Sequence, residues 1–77
     1  MTAFMNGNPI IAKIRKEILE TLSKVGTDGM SISFLYNLFK SETPELIGRA
    51  ISELEFSREI DFRGLPRVYY LIKFLPK

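Results

Sequence analysis

Thr43-Pro44-Glu45-Leu46-Ile47-Gly48-Arg49-Ala50-Ile51-Ser52-Glu53-Leu54, followed after five residues by Ile60-Asp61-Phe62-Arg63-Gly64-Leu65-Pro66-Arg67-Val68-Tyr69-Tyr70-Leu71, decides the fold of this chain. Ile47, Ala50, Ile51 and Leu54 recur at the three-and-four spacing that lines one face of a helix. Thr43 is placed to cap that helix and Pro44 to open it. Beyond it, two apolar or aromatic runs flank Gly64-Leu65-Pro66, with an arginine at each shoulder, and predict a hairpin.

Working back toward the N-terminus, Asn8 caps a first helix that begins at Pro9. Ile11, Ile14, Ile18, Leu22 and Val25 form its apolar stripe, and Gly26 closes it. Lys13 with Glu17, Lys16 with Glu20 and Glu20 with Lys24 stand four apart on its polar face, a spacing that supports a solvated helix. Thr27-Asp28-Gly29 reads as a turn and Met30-Ser31-Ile32 as a short extended segment. Ser33 is then expected to cap a second helix that points Leu35, Leu38 and Phe39 inward and ends at Lys40-Ser41. Glu42-Thr43 is a tight connection suited to steeply packed helices. Residues 1–7 lack periodicity and are expected to be a flexible arm, leaving residues 8–77 as a single domain. The predicted class is α+β, mainly α, in the order α-β-α-α-β-β.

Over residues 32–71 this pattern resembles the winged helix-turn-helix family. The landmarks are Ser33, Leu35, Thr43, Ala50, Leu54, Ile60 and the triplet Tyr69-Tyr70-Leu71, and their spacing carries the likeness. The resemblance implies a three-helix domain with a C-terminal β-hairpin wing, double-stranded DNA as partner, and a symmetric dimer with its third helices in successive major grooves. One departure stands out. Many family members have a glycine between the third helix and the wing, whereas Phe56-Ser57-Arg58-Glu59 fills that junction here. Either Arg58 or a neighbour adopts an unfavourable backbone conformation, or the helix ends differently.

Composition sets the chemical bounds. The chain has 77 residues, 45% hydrophobic and 26% charged, which suits one small domain with a modest core. With neither Cys nor His, disulfides, thiol chemistry, a zinc site and a histidine-based triad are excluded. There is no Gly-rich phosphate loop, and Glu53 with Glu55 lacks the geometry of a catalytic carboxylate pair. The expectation is a binder, not an enzyme, with no cofactor, metal or small-molecule ligand. No signal peptide and no apolar run of about 20 residues is evident, so a soluble, cytoplasmic chain is expected, nucleoid-associated if it binds DNA.

The net charge is +2, but it is unevenly spread: residues 1–57 carry six Lys/Arg against seven acids, and residues 58–77 carry five against two. This places the positive field in the hairpin, where it serves either phosphate binding or protection of a sheet edge.

Rotation by 100° per residue sets Glu45, Arg49, Ser52 and Phe56 opposite the apolar face of the third helix, with Gly48 and Glu53 at the margins. Arg49 is the candidate for a bidentate contact to guanine, and Ser52 suits a base or a phosphate. Gly48 permits close approach to DNA or tight packing against the preceding helix. Glu45 either accepts from cytosine or complements the helix dipole. Glu53 and Glu55 would repel phosphates. Lys40 and Ser41 offer backbone contacts. Arg63 and Arg67 either straddle a phosphate strand or enter a narrow minor groove, or else they pair with Glu59 or Asp61.

The final stretch, from Val68 through Ile72 to Phe74 and Leu75, is apolar on both faces of a strand, so something is expected to cover it. If Tyr69 and Leu71 pack inward, as the family pattern implies, then Val68, Tyr70, Ile72 and Phe74 are candidates for a homodimer interface. The arm, with Phe4 and Met5, is the other candidate cover. Aromatic stacking on single-stranded bases is a further use, set against core packing. The alternative function, which an acidic third helix and an apolar last strand would suit, is a winged-helix protein-interaction module that does not bind nucleic acid.

Overall fold

The computed structural model describes residues 8–76. The arm expected over residues 1–7 lies outside the described residues. Helix α1 (Pro9–Val25) starts where Asn8 Oδ1 accepts the Ile10 N–H at 2.8 Å. It ends at Gly26, whose φ of 57° no side chain obstructs. Its stripe of Ile11, Ile14, Ile18 and Leu22 is buried, and Val25 is half-buried beside it. A 3-10 turn (Gly26–Asp28) leads to strand β1 (Met30–Ser31) and then directly into α2 (Ile32–Leu38). Helix α3 (Pro44–Phe56) follows, with Thr43 Oγ1 accepting the Leu46 N–H at 3.4 Å. Strands β2 (Ile60–Arg63) and β3 (Val68–Leu71) complete a winged-helix layout in the predicted order.

Four local expectations are corrected. Ser31, not Ser33, caps α2, accepting the Phe34 N–H at 3.3 Å. The Ile32 N–H is already held by the Arg67 carbonyl at 2.9 Å, so the chain turns into helix immediately where strand pairing stops. Leu38 is 46% exposed: α2 unwinds at Phe39, which enters the core with Leu35 and leaves Leu38 on the outer flank beside Phe34. None of the three Lys/Glu pairs on α1 closes; among the described residues the ion pairs are Arg15–Glu53 at 3.1 Å and Arg63–Asp61 at 3.4 Å. Exposed i,i+4 pairs gain only about 0.5 kcal/mol, too little to hold two long side chains together. Finally, the last strand stops at Leu71. Its partner begins at Ile60, and after the Ile72 N–H meets the Glu59 carbonyl at 3.2 Å the chain bends into a 3-10 turn (Ile72–Phe74).

The sheet is antiparallel, in the order β1-β3-β2, with Met30 and Phe62 flanking Tyr69 in register and Ile60 opposite Leu71. These five residues share the inner face by strand alternation. Tyr69 and Ile60 are buried, and Met30, Phe62 and Leu71 pack against the same core. Ile47, Ala50, Ile51 and Leu54 of α3 close that core together with the α1 stripe. Among the described residues no helix is long and apolar enough to cross a membrane.

Two turns position the wing. At the end of α3 the Glu59 N–H returns to the Leu54 carbonyl at 3.0 Å and the Arg58 N–H to the Glu55 carbonyl at 3.1 Å. This is the Schellman arrangement, which needs a left-handed residue at the position Arg58 occupies with φ 63°. The junction without glycine is therefore built by straining an arginine. Before β1, Gly29 has φ 67°, and a Cβ there would sit 2.5 Å from the Tyr70 ring. The outer face of β3 is thus partly covered from within the chain.

Gly29→Ala would combine left-handed strain of about 1–2 kcal/mol with overpacking of about 1–3 kcal/mol. Urea unfolding should show a loss of at least about 2 kcal/mol. Arg58→Gly should instead stabilise by about 0.5–1 kcal/mol, because relief of strain exceeds the added chain entropy. A fall in its urea midpoint would mean that the arginine conformation is unstrained.

Candidate nucleic-acid interface

The burial pattern of α3 fixes which residues it offers. With its apolar face turned inward, Glu45, Arg49, Ser52 and Phe56 lie exposed on the opposite stripe, and Gly48 and Glu53 are half-buried at its margins. Phe56 is 91% exposed, an unusual cost for so large a ring. Arg49 makes no ion pair among the described residues. A Cβ on Gly48 would meet the Tyr36 hydroxyl at 3.1 Å, so this glycine serves the close packing of α2 on α3. Glu45 stands in the first turn of α3, where its charge complements the helix dipole. Lys40 and Ser41 are exposed in the connection from α2 to α3.

The two acids expected to oppose phosphate are engaged elsewhere. Glu53 is paired with Arg15 of α1, and Glu55 Oε2 accepts from the Tyr69 hydroxyl at 3.4 Å. Neither contact was legible in the sequence, since both join residues far apart in the chain.

At the wing, the arginines have different surroundings. Arg63 Nη1 donates to the Phe62 carbonyl at 2.9 Å and reaches Asp61 Oδ2 at 3.4 Å, on the outer face of the hairpin. This is one of the two pairings anticipated for it, and between half-exposed partners it contributes at most about 1 kcal/mol. Arg67 turns the other way. Its guanidinium lies 4.5 Å above the Phe62 ring and donates to the Tyr69 hydroxyl at 3.3 Å, with neither Glu59 nor Asp61 as partner. That hydrogen bond is the leading cause of an Arg67 pKa raised above its ordinary value. Burial, in turn, raises the Tyr69 phenol, against the opposing influence of Arg67. Arg67, Tyr69 and Glu55 thus form a chain of polar contacts that ties the wing to the last turns of α3. Glu59 accepts the Ser57 hydroxyl proton at 2.7 Å.

The candidate dimer residues differ in availability. Ile72 is 43% exposed, whereas Val68, Tyr70 and Phe74 are half-buried, Tyr70 against Gly29. No cluster of three or more potential metal ligands occurs among the described residues. Comparison of the chain with protein-family models, curated proteins and solved structures finds no match.

Because the folded Tyr69 pKa is raised, the unfolded chain releases the phenol proton first. The stability contributed by Tyr69 is fully present below about pH 10 and is lost as pH rises through the folded value. Tyr69→Phe should remove this part of the alkaline decline in thermal melts, while losing about 1 kcal/mol at neutral pH from the missing hydroxyl contacts. An unchanged alkaline profile would exclude Tyr69 as its source.

Proposed function

We propose that the protein is a small winged-helix regulator that binds double-stranded DNA sequence-specifically as a homodimer, with α3 in the major groove and the wing on the backbone or minor groove. The observation that carries this reading is the disposal of charge around α3. Glu53 and Glu55 are drawn onto Arg15 and Tyr69, while Arg49 and Ser52 remain on the open stripe. A guanidinium with no ion pair among the described residues, on a rigid helix, suits bidentate recognition of guanine. Lys40, Ser41, Arg63 and Arg67 supply phosphate contacts, and Ile72, with Val68, Tyr70 and Phe74, supplies the contact between copies. In this role Glu45 and Gly48 serve the helix more than the base edges. The reading needs no cofactor, metal or catalytic group, and it places the protein in the cytoplasm with the nucleoid.

A second reading has its own observation. Phe34 and Leu38, 54% and 46% exposed, stand four apart on the outer face of α2, and Phe56 projects from the end of α3. An apolar surface of this kind suits a protein partner, so an interaction module that does not bind nucleic acid is the alternative.

Titration of a mixed-sequence duplex at two salt concentrations, with mass determined in the same buffer, separates the two. Salt-sensitive binding by a dimer is expected, and no binding at low salt would sink the DNA reading. Arg63→Ala should weaken binding to all sequences alike and lower the salt slope by about 0.9. It is a cleaner probe than Arg67→Ala, which also removes packing on Phe62. Arg49→Ala should cost about 1–3 kcal/mol at a selected operator and relax preference at one base pair.

A further inference from the structure

The tip of the wing carries a feature that phosphate binding alone does not use. Leu65 is 88% exposed in residues 64–67, the loop between β2 and β3, and an exposed leucine in a hairpin turn contributes nothing to the core. Arginines flank it, Arg63 directed to the outer face of the hairpin by Asp61 and Arg67 to the inner face by Phe62. We propose that Leu65 is an apolar wedge that enters a base step from the minor groove, while Arg63 and Arg67 hold the phosphates on its two sides. This rests on the DNA-binding reading and adds to it a deformation of the duplex.

The surroundings of the loop suit that task. Separating two stacked base pairs requires a side chain that stays in place under load, and apolar wedges between base steps kink the duplex toward the major groove. The base of this loop is fixed at several points. Arg63 is in register with Val68, the Arg67 carbonyl accepts the Ile32 N–H at 2.9 Å, and the Arg67 guanidinium is anchored by Phe62 and by fully buried Tyr69. Pro66 limits the backbone next to the leucine. Among the described residues outside its chain neighbours, a Cβ placed on Gly64 would meet only the Pro66 carbonyl oxygen, at 3.8 Å, so the loop is open beside this glycine. Positive charge on both sides of an apolar point is complementary to a minor groove, where phosphates line the walls and base edges form the floor.

The test uses the full chain, a mixed-sequence duplex and a closed circular plasmid relaxed by topoisomerase in the presence of the protein. Wild type should bind the duplex and leave the plasmid underwound after the protein is removed. Leu65→Ala, which creates no cavity because the side chain is exposed, should keep its circular dichroism spectrum and bind within about threefold of wild type, yet leave the plasmid fully relaxed. Leu65→Phe should retain the underwinding. Binding by wild type without a change in linking number, or equal underwinding by Leu65→Ala, would overturn the wedge and leave DNA binding intact. Failure of Leu65→Ala to bind would also overturn it, since the arginine grip would then be insufficient alone. Failure of wild type to bind the duplex at low salt would overturn both.

Discussion

Tyr69 lies on the central strand of a three-stranded sheet with no exposed surface, its ring 5.7 Å from Phe62 and in register with Met30. Both edge strands therefore pack against one side chain. Its hydroxyl cannot be left in the core without partners, because an unsatisfied buried polar group costs about 1–3 kcal/mol. It finds Glu55 at the end of α3 and Arg67 at the wing shoulder. One residue thus joins the two elements on which any reading of this surface depends. The contacts are long, at 3.3 and 3.4 Å, so they orient the wing more than they stabilise it.

A domain this small has little stability to spare, and its turns show where strain was accepted. Gly29 brings the backbone against the Tyr70 ring just before β1 pairs with the edge of β3. Arg58 holds a left-handed conformation because the Schellman bonds of α3 and the start of β2 require one at that residue. That exit from α3 leads through Glu59 to Ile60, where the register that places Phe62 opposite Tyr69 begins. The strain is local, whereas the register it preserves is shared by the whole sheet.

Much of this fold is legible in the sequence because it rests on periodicity and punctuation. Asn8 and Pro9 start α1, Thr43 and Pro44 start α3, and the buried faces of both helices follow their apolar spacing. The order α-β-α-α-β-β that these signals imply is the order observed. Where the fold departs from local pattern, tertiary contacts decide. Ser31 and Ser33 are equally good caps by type, and only the pairing of Ile32 with Arg67 selects the first. Leu38 satisfies a helical pattern, but Leu35 and Phe39 take the inward positions and leave it on the outer flank. Of the candidate site, the open stripe of α3 could be derived by rotation, while the partners of Glu53, Glu55 and Arg67 could not. Leu65 reads as an apolar residue in a turn, and its exposure is a property of the folded loop.

Charge is where local sequence and folded surface diverge most. Counted along the chain, α3 has three acids and one arginine, an unfavourable balance for an element that meets phosphate. In the folded chain those acids are spread around the helix: Glu45 at its positive end, Glu53 turned to α1 and Glu55 turned to the wing. The open stripe is then nearly neutral, with one guanidinium at its middle. A surface of this kind gains little from long-range attraction and depends on the geometry of a few contacts. That distinguishes it from the outer face of α2, where Phe34 and Leu38 offer contact area without direction. The two readings of the protein therefore draw on different surfaces of one rigid domain, and occupancy of one does not by itself exclude the other.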